Sequence, residues 1–207
     1  METIRSLIAS SRCADLVSLV RVPVGQYHFL ARALDVGAQG VMVPMVGSAE
    51  EARAIVAACK YPPVGRRGSA FGVSHDDYQG GDVAQKMKQA NQEVLIIAQI
   101  ETAEGVREAE RIAAVDGIDV LWVGYFDLAA FLGVPGQFSH PSVQEAVNRV
   151  LAACRTHGKA AGVLVSSVEE GKAMLELGYR CLAYGGDLWL YQRALREGVT
   201  ALRESGR

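Results

Sequence analysis

No apolar run in the 207 residues approaches the roughly 20 that a bilayer-spanning helix needs. The amino-terminal METIRSLIASSRC mixes charge with apolar residues and lacks the unbroken apolar stretch of a secretory signal. Cysteine is sparse: Cys13, Cys59, Cys154 and Cys181 stand far apart, and none belongs to a CxxC or Cys/His cluster of zinc-ligand spacing. Reduced core thiols are therefore expected rather than a disulfide frame. An excess of charge of one sign is also missing, since 21 Lys and Arg face 23 Asp and Glu for a net −2, with the basic residues scattered. That distribution argues against nucleic acid as a partner. A 50% hydrophobic content is enough for one sizeable core, so residues 1–207 are expected to form one domain of a cytoplasmic protein.

What is present is a repeat of short aliphatic or β-branched runs, each followed by a segment of helical period. Strands are expected at 16–22, 40–45, 95–100, 120–123, 160–165 and 181–184. Each is nearly all apolar, as suits a parallel strand covered on both faces. Helices are expected at 2–11, 26–35, 49–60, 82–91, 103–114, 141–157, 168–177 and 190–204. Ser48 ahead of Glu50 and Glu51 reads as an N-cap, Pro141 as a first-turn proline, and Gly37, Gly117, Gly158 and Gly178 as helix stops. The glycine- and proline-rich stretch 61–81 shows no period and is expected to be a long loop, of the kind that walls or lids a barrel active site.

Alternating strands and helices point to a (β/α)8 TIM barrel, of which six units are legible. The first two strands, about 60 residues' worth, are expected to be lacking from this chain. Barrel chemistry sits where strands end, which singles out Arg21, Gln99, Glu101, Asp127 and Asp187. Glu101 and Asp127 end consecutive strands, about 4.8 Å apart. Two carboxylates on one rim suit Mg²⁺ or Mn²⁺, which would hold a 2-oxo acid and stabilise its enolate, with Arg21 adding positive charge. The spacing serves blander roles equally well: Glu101 could complement a helix dipole, Asp127 could cap a short turn, and Arg21 could be an ion-pair partner. Asp187 after Gly185 and Gly186 is expected to cap the last helix rather than catalyse. No histidine ends an apolar run, and only His75, in the long loop, is kept as a substrate contact.

The segments RVP (21–23), LDVGAQGVMVPMV (34–46), EEA (50–52), YPPVGRRG (61–68), QIET (99–102), GYFDLAAFLGVPGQFSHPSV (124–143) and GKAAGVL (158–164) together resemble the HpcH/HpaI aldolase family, in order and through essentially the whole chain. The resemblance implies a barrel of the pyruvate/phosphoenolpyruvate-binding type. It implies a class II aldolase that reversibly cleaves a 4-hydroxy-2-oxo acid to pyruvate and an aldehyde. It further implies Glu101 and Asp127 as ligands of a divalent metal (Mg²⁺ or Mn²⁺, with Co²⁺ also admissible), and Gln99 and the backbone of Phe126 as contacts to pyruvate. Arg21 would stabilise the enolate, Asp35 would support a catalytic histidine, and Leu164 would shape the aldehyde side. A homo-oligomer, hexamer or trimer, is implied as well. Two departures stand out: nothing matches the family's E-H motif, which carries that histidine, and Tyr125 replaces a common proline. The alternatives are a related enolate enzyme using oxaloacetate or an acyl-CoA thioester, and a catalytically incomplete barrel fragment.

Overall fold

A computed structural model describes residues 2–205. It divides into two compact units, one reaching to Ala161 and one starting at Gly162. The first unit runs α1 (Glu2–Cys13), β1 (Leu19–Arg21), α2 (Tyr27–Asp35), β2 (Gly40–Val43), α3 (Ala49–Cys59), α4 (Val83–Glu93), β3 (Leu95–Ile100), α5 (Ala103–Arg107), α6 (Ala109–Ala113), β4 (Val120–Val123), α7 (Tyr125–Phe131) and α8 (Pro141–Thr156). The strand β5 (Ala160–Val165) spans the division, and α9 (Val168–Glu176), β6 (Cys181–Tyr184) and α10 (Asp187–Ser205) follow. Among the described residues, no helix is long and apolar enough to cross a membrane.

In the first unit β1 pairs with β2, β2 with β3 and β3 with β4, all parallel, with Arg21 opposite Met42 and Gln99 opposite Trp122. Parallel neighbours need crossovers, and the helices supply them. Val41, Val43, Ile96, Ile97, Ile100 and Leu121 are buried in the strands, and Leu30, Leu34, Ile55, Ile112 and Val150 on the helices. In the second unit β5 and β6 are parallel, with Leu164 opposite Ala183. The α/β class and its six parallel strands agree with the sequence.

Several boundaries differ from expectation. The first strand is only Leu19–Arg21, because Leu16 and Val17, though apolar, are 60% and 67% exposed and lie outside the ladder. The second strand stops at Val43, since Met45 adopts a left-handed conformation with φ 58°. The helix expected over 103–114 is two short helices meeting at Glu108, whose φ and ψ of −90° and 0° break the period. Cys59 and Cys154 are core thiols as expected, but Cys13 is exposed. Burial pushes the Cys59 thiol up to about 12, so it stays protonated.

The segment 61–81 is a correction of another kind. It follows α3 rather than a strand, so it is a helix-to-helix connection and not a strand-end lid. It lies along α1 and α2: Arg12 pairs with Asp77 and donates to the Ser74 carbonyl, and the Gly68 N–H donates to Tyr27 Oη at 2.8 Å. Asp76 gathers the loop by accepting from Gly72 N, Val73 N and Lys86 Nζ at 2.7–2.9 Å. Desolvation opposes its charge, but those hydrogen bonds win and hold its pKa down to about 2.

Gly40 marks where the strands crowd most. A Cβ there would stand 2.5 Å from the Leu95 carbonyl oxygen and 2.7 Å from Leu19 Cδ2. Gly40→Ala is therefore expected to lower stability by about 1–3 kcal/mol, read from the midpoint of urea denaturation. An unchanged midpoint would show that the β1–β2–β3 spacing is looser than described.

Candidate active site

Three strand ends in the first unit converge. Beyond β2 the chain kinks at Met45, and three successive amides find separate acceptors: Met45 N–H donates to Glu101 Oε1 (2.9 Å), Val46 N–H to the Gln99 carbonyl (3.1 Å) and Gly47 N–H to Glu51 Oε2 (3.0 Å). Beyond β3, Thr102 and not Glu101 caps the next helix, accepting from Gly105 N–H at 3.0 Å. The Glu101 side chain turns inward and is 1% exposed.

Beyond β4 stands Gly124, whose N–H donates to the Ile100 carbonyl at 3.2 Å. A Cβ at Gly124 would overlap Glu101 Oε2, lie 2.8 Å from Glu101 Cβ and 3.1 Å from Gln99 Nε2. Only glycine lets β4 approach so closely. The helix α7 that follows is longer than the short turn expected, and Asp127 lies within its first turn while Gly124 occupies the cap position. Asp127 is therefore not an N-cap.

The electrostatics of this corner are unusual. Glu101 Oε1 has the Met45 amide, but Oε2 is buried without a hydrogen-bond partner. Desolvation pushes the Glu101 pKa above the ordinary glutamate value. The Met45 amide opposes that shift, the nearby negative charge of Asp127 adds to it, and Arg21 opposes it. Ionised, Glu101 and Asp127 are both acceptors only and repel each other unless a cation lies between them, whereas a protonated Glu101 can hydrogen-bond Asp127, which also raises its pKa. Arg21 is tied to the group by its Nε, which donates to Gln99 Oε1 at 3.2 Å.

This donor set fits a hard divalent cation. Among the described residues no three or more His, Cys, Asp or Glu gather into a metal cage. The pair alone would leave coordination positions for substrate and water, as Mg²⁺ and Mn²⁺ tolerate. An orphaned, buried carboxylate oxygen is what such an ion would satisfy. From Met45 a cleft of about 500 Å³ extends outward, lined by Ser48, Glu51, Thr102, Glu104 and Phe131 among others.

Phe126 is 70% exposed on α7, with its ring edge-on to Phe138 at 4.8 Å. Leu164 is half-buried on β5 in the second unit. Asp35 closes α2 just ahead of β2, at the opposite end of the strands from Arg21 and Glu101, and it accepts from the buried Arg67 at 2.8 Å. The structure does not bring it to the carboxylate pair within this chain. His75 Nε2 contacts the Ala70 carbonyl at 2.6 Å, inside the 61–81 connection. Asp187 is the first residue of α10, and its Oδ1 accepts from the adjacent Leu188 N–H at 2.8 Å. Lys60, a buried amine, donates to the Asn91 and Val94 carbonyls at 2.6 and 3.0 Å, so it anchors the end of α4 and is no nucleophile. Sequence reasoning missed Gly124 and Met45. The first was readable as a glycine closing an all-buried strand, while the second acts through its backbone and leaves no side-chain signal.

The sequence profile of the HpcH/HpaI aldolase/citrate lyase family matches residues 1–194, and the chain belongs to that family. It is 38% identical over 186 residues to the 5-keto-4-deoxy-D-glucarate aldolase of Klebsiella pneumoniae subsp. pneumoniae, covering 90% of this chain and 72% of that protein. Among solved structures, the HpcH/HpaI aldolase from Desulfitobacterium hafniense DCB-2 superposes with a TM-score of 0.91 at 33% identity, over 97% of this chain and 78% of that one. The citrate synthase SbnG does so with a TM-score of 0.88 at 28% identity, over 99% and 79%.

A raised folded-state pKa means that the folded protein holds the Glu101 proton more tightly than the unfolded chain does. The stability associated with that proton is therefore present at low pH and lost as pH rises through the raised value. Glu101→Gln is expected to melt higher than the parent at pH 7 in chelator, by on the order of 1–3 kcal/mol. The gain should vanish below about pH 4.3, the ordinary glutamate pKa. Thermal denaturation across pH checks this, and a lower melting temperature for the variant at pH 7 would contradict it.

Proposed function

We propose that this chain is a divalent-metal-dependent, class II aldolase built on a (β/α)8 barrel. Its reaction is the reversible cleavage of a 4-hydroxy-2-oxo acid to pyruvate and an aldehyde. The observation that carries the reading is the partnerless Oε2 of buried Glu101 beside the Asp127 charge, with Arg21 and Gln99 joined next to it. The family membership and the aldolases among its relatives support it.

Glu101 and Asp127 would hold the cation, either Mg²⁺ or Mn²⁺, which supplies Lewis acidity toward the 2-oxo group when bound. Gln99 and the Phe126 backbone would seat the pyruvate portion. In cleavage the C4 hydroxyl passes its proton to water and its oxygen pair forms the aldehyde carbonyl as the C3–C4 bond breaks, while the electron pair of that bond becomes the C2–C3 double bond and the C2 carbonyl pair moves onto oxygen. Arg21, oriented by Gln99, faces the negative charge that develops on the C2 oxygen. Protonation at C3 then completes the pyruvate methyl group.

Among the described residues no histidine follows a strand end. His28 lies in α2, His75 in the connection before α4, His140 caps the start of α8 and His157 its end. Asp35, proposed to support a histidine, is bonded to Arg67 instead. The enolate half of the reaction is accordingly what Arg21, Gln99, Glu101 and Asp127 serve. The exposed Leu188, Trp189, Leu195 and Leu202 of α10 support a homo-oligomer. A second reading keeps the enolate but uses oxaloacetate or an acyl-CoA thioester, and the likeness to a citrate synthase favours it. Oxaloacetate decarboxylation and thioester condensation, assayed beside hydroxy-oxo acids, separate the two.

Exchange of the pyruvate methyl hydrogens for solvent deuterium, followed by proton NMR, detects the enolate whatever the aldehyde. Divalent metal is expected to accelerate exchange. The double variant Glu101→Ala, Asp127→Ala is expected to slow it about 100-fold or more. Equal rates in parent and variant would refute the proposal.

A further inference from the structure

We infer that the Met45 backbone amide is a positioning element for metal binding. By clamping Glu101 Oε1 from a left-handed kink, it leaves Oε2 as the ligand oxygen. The inference rests on the reading of Glu101 as a metal ligand.

Left-handed φ in a residue with a side chain is uncommon and disfavoured, and it persists only where the surroundings impose it. At Met45 the imposed kink points the amide at a side-chain carboxylate, 2.9 Å from Oε1, while the next two amides are fixed on Gln99 O and Glu51 Oε2. A charge-assisted bond from a fixed amide sets the rotation of the carboxylate. On its other flank Gly124 offers no Cβ, so β4 packs directly against Glu101 and leaves the group little room to turn. One oxygen is thus satisfied by backbone and the other is buried with no donor, beside the Asp127 charge. A carboxylate free to rotate would present either oxygen. This one presents Oε2.

Metal affinity should then follow how readily residue 45 adopts the left-handed conformation, not what its side chain offers. Glycine adopts it without penalty, and a β-branched residue resists it most. Titration of Mn²⁺ by electron paramagnetic resonance, with no substrate and no turnover, is expected to give Met45→Gly a Kd within about threefold of the parent or tighter. Met45→Ile is expected to bind about tenfold more weakly. A role for the thioether side chain would produce the reverse order, with Met45→Gly weakened and Met45→Ile spared, and would overturn the inference. Equal affinities in both variants would also overturn it while leaving the metal reading intact. Absence of Mn²⁺ binding in the parent would overturn both.

A measurement that needs no change at position 45 guards against misfolding of the isoleucine variant. The Met45 amide proton resonance is expected to move upfield in Glu101→Gln, because a neutral acceptor replaces a charged one. An unmoved resonance would show that the amide does not hold the carboxylate.

Discussion

A carboxylate buried to 1% exposure with one oxygen bonded and the other bare is costly in any protein interior, and the surrounding structure is arranged around that cost at Glu101. The strand β3 carries the residue to the end of a buried run, LIIAQI, so the charge emerges where water is already excluded. The kink at Met45 supplies one N–H, and the glycine after β4 lacks the Cβ that would collide with the free oxygen. Asp127, brought alongside by α7, adds negative charge where there is already too much. Such a concentration is explicable as half of an interaction whose other half is a cation.

Much of this was legible in the sequence because parallel strands covered on both faces read as unbroken apolar runs, and the polar residue that ends each run announces the strand end. Gln99 near the end of LIIAQI, Glu101 just after it, and Asp127 shortly after VLWV follow that logic. The cap at Ser48 was equally local, its hydroxyl accepting from the Glu51 amide three residues on. Where the reading failed, the deciding interaction was not local. Leu16 and Val17 are as apolar as strand residues, but neither lies in the β1–β2 ladder. The 61–81 segment has the composition of an active-site loop, yet its bonds are to the helices α1, α2, α3 and α4.

The division of labour between backbone and side chain explains the remaining gap. Composition and spacing report side chains, so they find Glu101, Asp127 and Arg21 but not the amide that orients one of them. Asp35 shows the converse: a motif can be matched residue for residue, while the partner that the structure provides, Arg67, is a different one. Family membership describes which chemistry the scaffold has supported, and the local geometry decides which of its parts this chain itself holds.

The central claim is that Glu101 Oε2 and the Asp127 carboxylate share one divalent cation. Anomalous scattering from crystals of the protein soaked in Mn²⁺ measures that directly. The account predicts a single strong peak within coordination distance of both carboxylates, about 2.0–2.3 Å from each ligand oxygen. A peak bound elsewhere, or none at this corner at saturating Mn²⁺, would contradict it.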